Sequence, residues 1–204
     1  TEDTTPIEDT PVNFEELSYQ EKLRALNPGQ KIALKKLQQF FGKNLSKDIK
    51  DDMFFLSGAG GTGKTTVMGL LSQHMEGYEV AYTAPTHTAA GEFARTSGIV
   101  VKTVQSMLGF RPDGRGGFGP LSNDMIERMQ QDGQKLPTIY SAEYIIIDEA
   151  SMVGGNKGPN DMYQVLLDKL EHRKRIGLGR PRKIIFMGDY AQIPPVGLTG
   201  DADA

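Results

Sequence analysis

Gly58-Ala59-Gly60-Gly61-Thr62-Gly63-Lys64-Thr65-Thr66 is the stretch from which the fold can be inferred. It fits the spacing G-x-x-x-x-G-K-[ST], the pattern of a loop that holds phosphate groups with its backbone N–H groups. The apolar run Met53–Ser57 precedes it and predicts a buried strand, and helical spacing follows from Val67 to Met75. The strand, loop and helix that the motif requires are therefore present, and a chance glycine-rich turn is the weaker alternative.

This phosphate-binding stretch offers backbone N–H groups, a cation and hydroxyl groups. Its glycines let the backbone approach phosphate oxygens, and the following helix adds its positive N-terminal end. Lys64 should reach the β- and γ-phosphates of ATP, which makes it a catalytic candidate, and the Thr65 hydroxyl should ligate Mg²⁺. The expected nucleotide-binding residues here are Gly58, Gly60, Gly61, Thr62, Gly63, Lys64, Thr65 and Thr66.

The composition is that of an ordinary globular protein, with 38% apolar and 24% charged residues in a length of 204. The absence of cysteine excludes disulfides, thiolate metal sites and a cysteine nucleophile, and it fits a reducing compartment. No apolar run approaches the roughly 20 residues of a membrane span, and no signal peptide opens the chain. We therefore expect no membrane partner and a location in the cytoplasm of a bacterial or phage-infected cell, or in a nucleus or mitochondrion.

The net charge of −3 conceals an uneven distribution. Residues 1–21 carry seven acids and no base, which leaves 23 bases against 19 acids in residues 22–204. We interpret residues 1–21 as a flexible acidic tail and residues 22–204 as one domain. A mildly basic domain is compatible with a nucleic-acid partner but supports one only weakly.

Strand-like and helix-like patterns alternate along the domain. Asn27 predicts the N-cap of a helix that ends at Gly42, and Gln30 can close a capping box with it. The apolar run Tyr144–Ile147 is typical of a strand buried on both faces. The alternation predicts an α/β fold, a three-layer domain with a mainly parallel sheet. Further strands are expected at 79–84, 100–104 and 183–187, and further helices at 89–97, 123–131 and 161–175.

An insert of about residues 109–137 interrupts this alternation. Its first part, residues 109–120, is dense in glycine and proline, which excludes a helix and predicts a loop or a hairpin. Phe110 and Phe118 flank this basic loop. They could stack on a base or wedge a duplex fork, and packing beneath their own loop is an equally good interpretation.

Polar clusters fall at the carboxyl ends of four predicted strands, where open α/β sheets bind their ligands. Asp148 follows three isoleucines, and its carboxylate together with Thr65 would supply the oxygen ligands that Mg²⁺ prefers. Glu149 could orient or deprotonate an attacking water, and Gln192 could bind the γ-phosphate or that water. A plain acidic strand end is the weaker alternative for Asp148.

Other polar groups have simpler interpretations. The histidines show no metal-ligand spacing, and we interpret His74 and His172 as surface residues. Seven bases between Lys169 and Lys183 could form a patch for a phosphate backbone. A solvated face is the favoured interpretation, because this run precedes a strand and so lies away from the nucleotide edge.

The motifs resemble those of superfamily 1 helicases in the branch of RecD, Pif and the phage Dda helicase. The phosphate-binding stretch resembles motif I, and Asp148-Glu149-Ala150-Ser151-Met152 resembles motif II. The Gln105 position often holds His in the family. Four further stretches within residues 27–196 resemble family motifs. The Q motif resembles Asn27-Pro28-Gly29-Gln30, and motif Ia resembles Ala84-Pro85-Thr86-His87-Thr88-Ala89-Ala90. Motif Ib resembles Thr103-Val104-Gln105-Ser106, and motif III resembles Gly188-Asp189-Tyr190-Ala191-Gln192-Ile193-Pro194-Pro195-Val196.

This resemblance implies a RecA-like P-loop NTPase domain, the first motor domain of an enzyme that uses ATP and Mg²⁺ to move 5′-to-3′ on single-stranded DNA. It implies that Gln30 reads adenine, and it places the insert, in which Phe110 and Phe118 lie, where relatives have a strand-separating pin. The implied partners are single-stranded DNA, fork DNA, and replication or recombination proteins. The implied DNA contacts from motifs Ia and Ib are Pro85, Thr86, His87, Thr103 and Gln105.

Two other functional classes remain open. The chain ends at Ala204, soon after the segment that resembles motif III, so we expect the second motor domain with its arginine fingers to be missing. A non-translocating, ATP-gated DNA-binding module is the first alternative. A P-loop kinase of small substrates is the weaker one, because the segments that resemble motifs Ia and III would have no role in it and only the Arg111 and Arg115 loop could serve as its lid.

Overall fold

A computed structural model describes residues 18–57, 63–148 and 161–188. A parallel sheet of five strands forms its centre, with the strands in the order β1-β7-β6-β2-β3. Two further strands pair antiparallel as a hairpin within the insert. The strands are β1 (Met53–Ser57), β2 (Val80–Ala84), β3 (Lys102–Thr103), β4 (Phe110–Pro112), β5 (Phe118–Pro120), β6 (Tyr144–Ile147) and β7 (Lys183–Gly188).

Helices connect the strands of the sheet. Short 3₁₀ turns occur at Ile49–Asp52, Ser72–Met75 and Thr138–Tyr140. Within the described ranges, none of the helices combines the length and the apolar character needed to cross a membrane. The helices are α1 (Tyr19–Ala25), α2 (Pro28–Gly42), α3 (Gly63–Leu71), α4 (His87–Ser97), α5 (Val104–Leu108), α6 (Asn123–Gln131) and α7 (Met162–Arg175).

Two hydrophobic cores lie on opposite faces of the sheet. Successive strand residues alternate between them: Ile145 and Ile147 join the core beneath α5, α6 and α7, while Ile146 joins the core beneath α1, α2 and α3. Phe55 and Phe186 stack on the first face with ring centroids 4.9 Å apart. Apolar residues on both faces of the same strands require helices on both sides, which confirms the three-layer α/β prediction.

Several predicted elements are confirmed with close boundaries. The observed α6 spans the predicted residues 123–131, and α7 begins one residue late because Asp161 is its N-cap, with Oδ1 accepting from the Tyr163 N–H at 3.0 Å. The helix expected from Val67 to Met75 begins and ends four residues earlier, since α3 spans Gly63–Leu71 and a 3₁₀ turn continues it to Met75. The strand expected at 100–104 is also shorter, since Val104 already begins α5.

The prediction of a flexible tail through residue 21 is wrong for its last residues. Helix α1 begins at Tyr19, and Ser18 caps it by accepting a hydrogen bond from the Glu21 N–H, while the Glu21 carboxylate accepts from the Ser18 N–H at 2.8 Å. The pattern Ser-x-x-Glu is a capping-box signature that could have revealed this helix. Residues 1–17 of the predicted tail lie outside the described residues.

The interpretation of the basic run as a solvated face is wrong for three of its seven bases, and His172 is not a surface residue. Lys169, His172, Arg173 and Lys183 are all buried. Three of them continue the apolar face of α7, so the helix period carries them inward together with Val165, Leu166 and Leu170. Backbone carbonyls, a tyrosine and a carboxylate supply their polar contacts. The side chain of His74 lies outside the described part.

Candidate functional site

The carboxyl ends of the five parallel strands share one edge of the sheet. Ser57 at the end of β1 is paired in register with Gly188 at the end of β7, and Ile147 at the end of β6 is paired with Phe186. Strand β7 therefore lies between the strand that precedes the phosphate-binding stretch and the strand that precedes Asp148. Strands β2 and β3 lie beyond β6, on the other half of the same edge.

The phosphate-binding stretch starts directly after β1 and ends inside α3. This helix begins at Gly63, which places Lys64, Thr65 and Thr66 in its first turn. A helix N-terminus directed toward this edge offers free backbone N–H groups and a positive dipole end. Gly58, Gly60, Gly61, Thr62, Glu149 and Gln192 lie outside the described residues, as do the side chains of Lys64 and Thr65.

Asp148 lies at this edge on the end of β6. Its backbone N–H donates to the Thr83 carbonyl at 2.7 Å, and the buried Thr83 hydroxyl donates to the Ile146 carbonyl at 3.0 Å. These two bonds tie β6 to β2 just where the strand ends, and the Asp148 side chain is half-buried. A carboxylate in this position offers oxygen atoms to a hard cation.

Gln30 has the structural role that the capping alternative assigned to it. Its Oε1 accepts from the Asn27 N–H at 2.9 Å, and its own N–H donates to Asn27 Oδ1 at 2.9 Å. This closed capping box begins α2 with Pro28 in the first turn. Contact with adenine stays a prediction for a side chain whose carbonyl oxygen already binds the backbone.

The segment after β2 presents polar side chains at the same edge. Pro85 is buried, while Thr86 and His87 are exposed. Thr86 is the N-cap of α4, with its Oγ1 accepting from the Ala89 N–H at 3.1 Å. The first turn of α4 contains no acidic residue, so this surface is open to an anionic ligand.

The segment after β3 has less exposed polar surface. Thr103 is buried, and its Oγ1 caps α5 by accepting from the Ser106 N–H at 3.1 Å. Gln105 is half-buried in the same short helix. The structural role of Thr103 explains its hydroxyl without a ligand, and contact of either residue with DNA stays a prediction.

The two aromatic residues of the insert differ in environment. Phe110, at the start of β4, is 4% exposed and belongs to the core, whereas Phe118 on β5 is 49% exposed. Their ring centroids lie 5.8 Å apart, so the buried ring supports the exposed one. The interpretation of Phe110 as a base-stacking residue is therefore wrong, because burial leaves its ring no free face. The interpretation of Phe118 stays a prediction.

The turn of this hairpin is held by one carboxylate. Asp113 Oδ1 accepts from the backbone N–H groups of Arg115 at 2.8 Å and Gly117 at 2.9 Å, and these bonds lower the pKa of Asp113. A Cβ at Gly117 would lie 2.2 Å from Asp113 Oδ2, so a larger residue there would displace the carboxylate from these bonds. Arg111 and Arg115 are exposed on this ordered hairpin.

A buried ionic cluster at the opposite end of the sheet was not anticipated. Lys183 Nζ donates to Asp52 Oδ1 at 2.5 Å, Arg180 binds the other carboxylate oxygen, and the Ser46 N–H donates to that oxygen at 2.8 Å. Burial acts to raise the pKa of Asp52, but the bonds from Lys183, Arg180 and Ser46 outweigh it, and the pKa is lowered. No sequence signal marks Asp52 as buried.

A surface pocket of about 540 Å³ opens near this cluster. Its lining mixes bases such as Lys47 and Lys50 with acids such as Asp48 and Asp168. It lies at the amino ends of β1 and β7, so it is remote from the edge that carries the phosphate-binding stretch. We therefore assign the functional site to the strand-end edge and not to this pocket.

Comparison with known proteins identifies a family and several relatives that are similar to this chain in sequence. Residues 25–202 match the family described as AAA domain. The chain is 28% identical over 178 residues to the ATP-dependent DNA helicase Pif1 of Bdellovibrio bacteriovorus, which covers 87% of this chain and 35% of that protein. It is 28% identical over 143 residues to the ATP-dependent RecD2 DNA helicase of Deinococcus radiodurans, which covers 69% of this chain and 16% of that protein.

Two further comparisons add no functional information. An uncharacterized protein of Acanthamoeba polyphaga mimivirus is 29% identical over 188 residues, and the match covers 84% of this chain and 34% of that protein. A solved structure of the replication initiator DnaA bound to AMPPCP and single-stranded DNA is 14% identical with a TM-score of 0.43, over 91% of this chain and 44% of that one. A structural similarity with so low a TM-score carries no argument about function. The chain thus spans about a third or less of the length of the curated relatives it matches.

Proposed function

Since the chain belongs to the AAA domain family and is an ATP-binding motor domain of the superfamily 1 RecD and Pif type, we propose that it serves a helicase that moves 5′-to-3′ on single-stranded DNA and unwinds duplexes. The observation that carries this proposal is the strand order β1-β7-β6-β2-β3. With this order, one half of the sheet edge is formed by the ends of β1, β7 and β6, and the other half by the ends of β2 and β3. The first half suits a nucleotide and the second a DNA strand.

In the nucleotide half, we assign phosphate binding to the stretch from Gly58 to Thr66, with Lys64 as the cation. The donor set fits Mg²⁺, because a threonine hydroxyl at residue 65 and the half-buried carboxylate of Asp148 are oxygen ligands. Bound there, the ion would neutralise charge that develops on the phosphates. Glu149 is assigned to orient the attacking water, and Gln192 to bind the γ-phosphate or that water.

In the DNA half, we assign backbone contacts to Thr86 and His87, which are exposed at the acid-free start of α4. The insert hairpin carries Arg111 and Arg115 for the phosphates and the exposed Phe118 ring for a base. This arrangement supports a pin that separates strands. Coupling of the two halves requires a second motor domain that closes on the nucleotide, and this is a further part of the proposal.

The test uses the full-length protein on duplexes with a single-stranded tail at the 5′ or the 3′ side. We expect ATP-dependent unwinding of the 5′-tailed duplex only. Lys64→Ala should abolish it by weakening Mg-ATP binding, and Lys50→Ala, a matched change at an exposed lysine before β1, should not. Unwinding of only the 3′-tailed duplex would refute the polarity. ATP-dependent DNA binding without unwinding of either substrate would support the ATP-gated module instead.

A further inference from the structure

Helix α7 buries three basic side chains on one face. Lys169, His172 and Arg173 are spaced by three and four residues, so they point in one direction, and their exposures are 5%, 2% and 4%. In the described part of the chain, no carboxylate lies within salt-bridge distance of Lys169 or Arg173. Burying a cation without a counter-charge is costly, so these side chains need strong hydrogen-bond acceptors.

Lys169 finds its acceptors at the root of the β4–β5 hairpin. Its Nζ donates to the Leu121 carbonyl at 2.6 Å and to Asn123 Oδ1 at 2.9 Å. The Leu121 N–H in turn donates to the Gly109 carbonyl at 3.0 Å, which closes the hairpin at its base. Lys169 therefore contacts the residue directly after β5 and the first residue of α6.

The root of the hairpin is also tightly packed on its other side. Gly109 has φ +83°, and a Cβ there would lie 2.6 Å from Pro137 Cγ. The start and the end of the insert are thus in contact beside the carbonyl that pairs with Leu121. Close packing of this kind passes a displacement of one segment to its neighbour.

Arg173 and His172 contact the segment that returns from the insert to β6. Arg173 Nη1 donates to the Ile139 carbonyl at 3.1 Å and to the Ala142 carbonyl at 2.7 Å. His172 Nδ1 shares a 2.7 Å hydrogen bond with the Tyr140 hydroxyl. One face of α7 therefore contacts both the insert, where the hairpin ends, and the segment through which the chain rejoins the sheet.

The position of α7 in the chain connects this contact to the nucleotide edge. The helix follows the segment that contains Asp148 and Glu149, and it leads into β7, after which Gln192 comes. Because Lys169 bonds α7 to the root of the hairpin, a displacement of α7 would move the hairpin with it.

We propose that Lys169 is a positioning residue that fixes the root of the β4–β5 hairpin to α7, so that hairpin and helix move as one rigid unit. The geometric part depends on the contacts above alone. The consequence, that strand separation depends on Lys169, rests on the proposed function. Lys169 touches neither nucleotide nor DNA in this proposal and acts only through the hairpin.

The geometric part can be tested on this chain, which contains no cysteine and so accepts spin labels at chosen sites only. Labels at Arg115→Cys on the hairpin and Glu171→Cys on α7, both exposed positions, report the distance between the two elements. We expect a single narrow distance distribution that Lys169→Met broadens at least twofold. Lys174→Met, the same change at an exposed lysine of α7, should leave it unchanged. An equally narrow distribution in Lys169→Met would overturn the proposal.

A second variant guards against misfolding of the first. Asn123→Ala removes one of the two acceptors without touching α7 and should broaden the distribution to a smaller extent. Lys169→Arg retains a cationic donor and should restore a narrow distribution. If Lys169 only stabilised the fold, the variants would differ in melting temperature but have distance distributions of the same width. That result would also overturn the proposal.

The functional part is measured in the full-length protein. Lys169→Met should reduce base pairs unwound per ATP at least fivefold and leave DNA-stimulated ATP hydrolysis and single-strand translocation within twofold of the unmodified enzyme. Equal loss of all three activities would refute the positioning role. If the unmodified protein unwinds nothing, the proposed function fails, while the distance measurements decide the geometric proposal independently.

Discussion

Replacement of Asp52 by asparagine should destabilise the domain strongly, although the side chain keeps its shape. Asp52 is 1% exposed and Lys183 is 2% exposed, with Lys183 Nζ 2.5 Å from Asp52 Oδ1 and 4.9 Å from the centre of the Phe40 ring. The neutral amide leaves this lysine as a buried cation whose nearest partner no longer carries a charge. Breaking a buried ion pair by removing one partner costs about 3–5 kcal/mol.

The expected loss can be measured by thermal unfolding of residues 1–204. For a domain of this size, 1 kcal/mol corresponds to about 2–4 °C in Tm, so Asp52→Asn should lower Tm by roughly 10 °C. Asp51→Asn is the matched control, because Asp51 is the exposed neighbour of Asp52 in the same turn. Its Tm should stay within about 2 °C of the unmodified value, as is usual for surface substitutions.

Two further measurements separate the ionic mechanism from simple loss of packing. The double variant Asp52→Leu, Lys183→Met removes the two most buried charges and should recover part of the lost stability, since apolar pairs often replace buried ion pairs without cost, while Arg180 and the Ser46 N–H lose their acceptor. The pKa of Asp52 lies below its ordinary 3.8, so its contribution is present above about pH 4 and is lost as the pH falls through the lowered pKa. The Tm difference between the unmodified chain and Asp52→Asn should therefore shrink in acid. A Tm of Asp52→Asn within 2 °C of the control at pH 7 would refute the reasoning.

Four other predictions concern catalysis, the pin and pH. Glu149→Gln in the full-length protein should keep ATP affinity and lose DNA-stimulated turnover, and survival of turnover would assign the water to another residue. Residues 1–204 alone should bind ATP with little phosphate release, because an arginine finger contributes about 10³–10⁵ in rate, and vigorous DNA-stimulated turnover would contradict this. Phe118→Ala should slow unwinding more than single-strand translocation, with Phe118→Leu intermediate, and equal effects on both activities would exclude a pin. Burial lowers the pKa of His172 below 6.5, with Glu127 opposing this effect and Lys169 and Arg175 adding to it, so the unfolded chain binds a proton that the folded chain does not. Stability should thus fall as the pH drops below about 6.5, and His172→Gln should flatten this slope in pH-dependent unfolding, whereas an unchanged slope would contradict the prediction.

The sequence was a good guide to elements whose signals are local. The phosphate-binding stretch, the capping box of Asn27 and Gln30, and the apolar run before Asp148 each depend on a few neighbouring residues, and β1, α2 and β6 have the expected bounds. The same local pattern at Ser18 and Glu21 begins a helix that the acidic composition of residues 1–21 conceals. Composition averages over many residues, so it can hide a seven-residue helix.

Burial of polar side chains depends on distant partners, and here local patterns failed. Phe110 and Phe118 are eight residues apart in one glycine-rich segment, yet one ring is in the core and the other in solvent, because Phe110 begins the strand that packs against α5 and Phe118 lies toward the tip of the hairpin. The acceptors of Lys169 are the carbonyl of Leu121 and the side chain of Asn123, more than 45 residues away. Charge patterning cannot anticipate a neutral carbonyl as the partner of a buried cation.

Sequence alone was sufficient for the class of fold, because strand and helix periodicity are properties of short segments, and the chemistry of the strand-end edge stays a prediction. It could not give the order of the strands, since a run such as Tyr144–Ile147 is equally apolar beside any neighbour. That order places β7 between β1 and β6 and puts the ends of β2 and β3 on the other half of the same edge. Tertiary packing also selected which face of α7 is buried, because that choice requires acceptors from Leu121 within the insert and from Ile139 and Ala142 just after it to meet one helix.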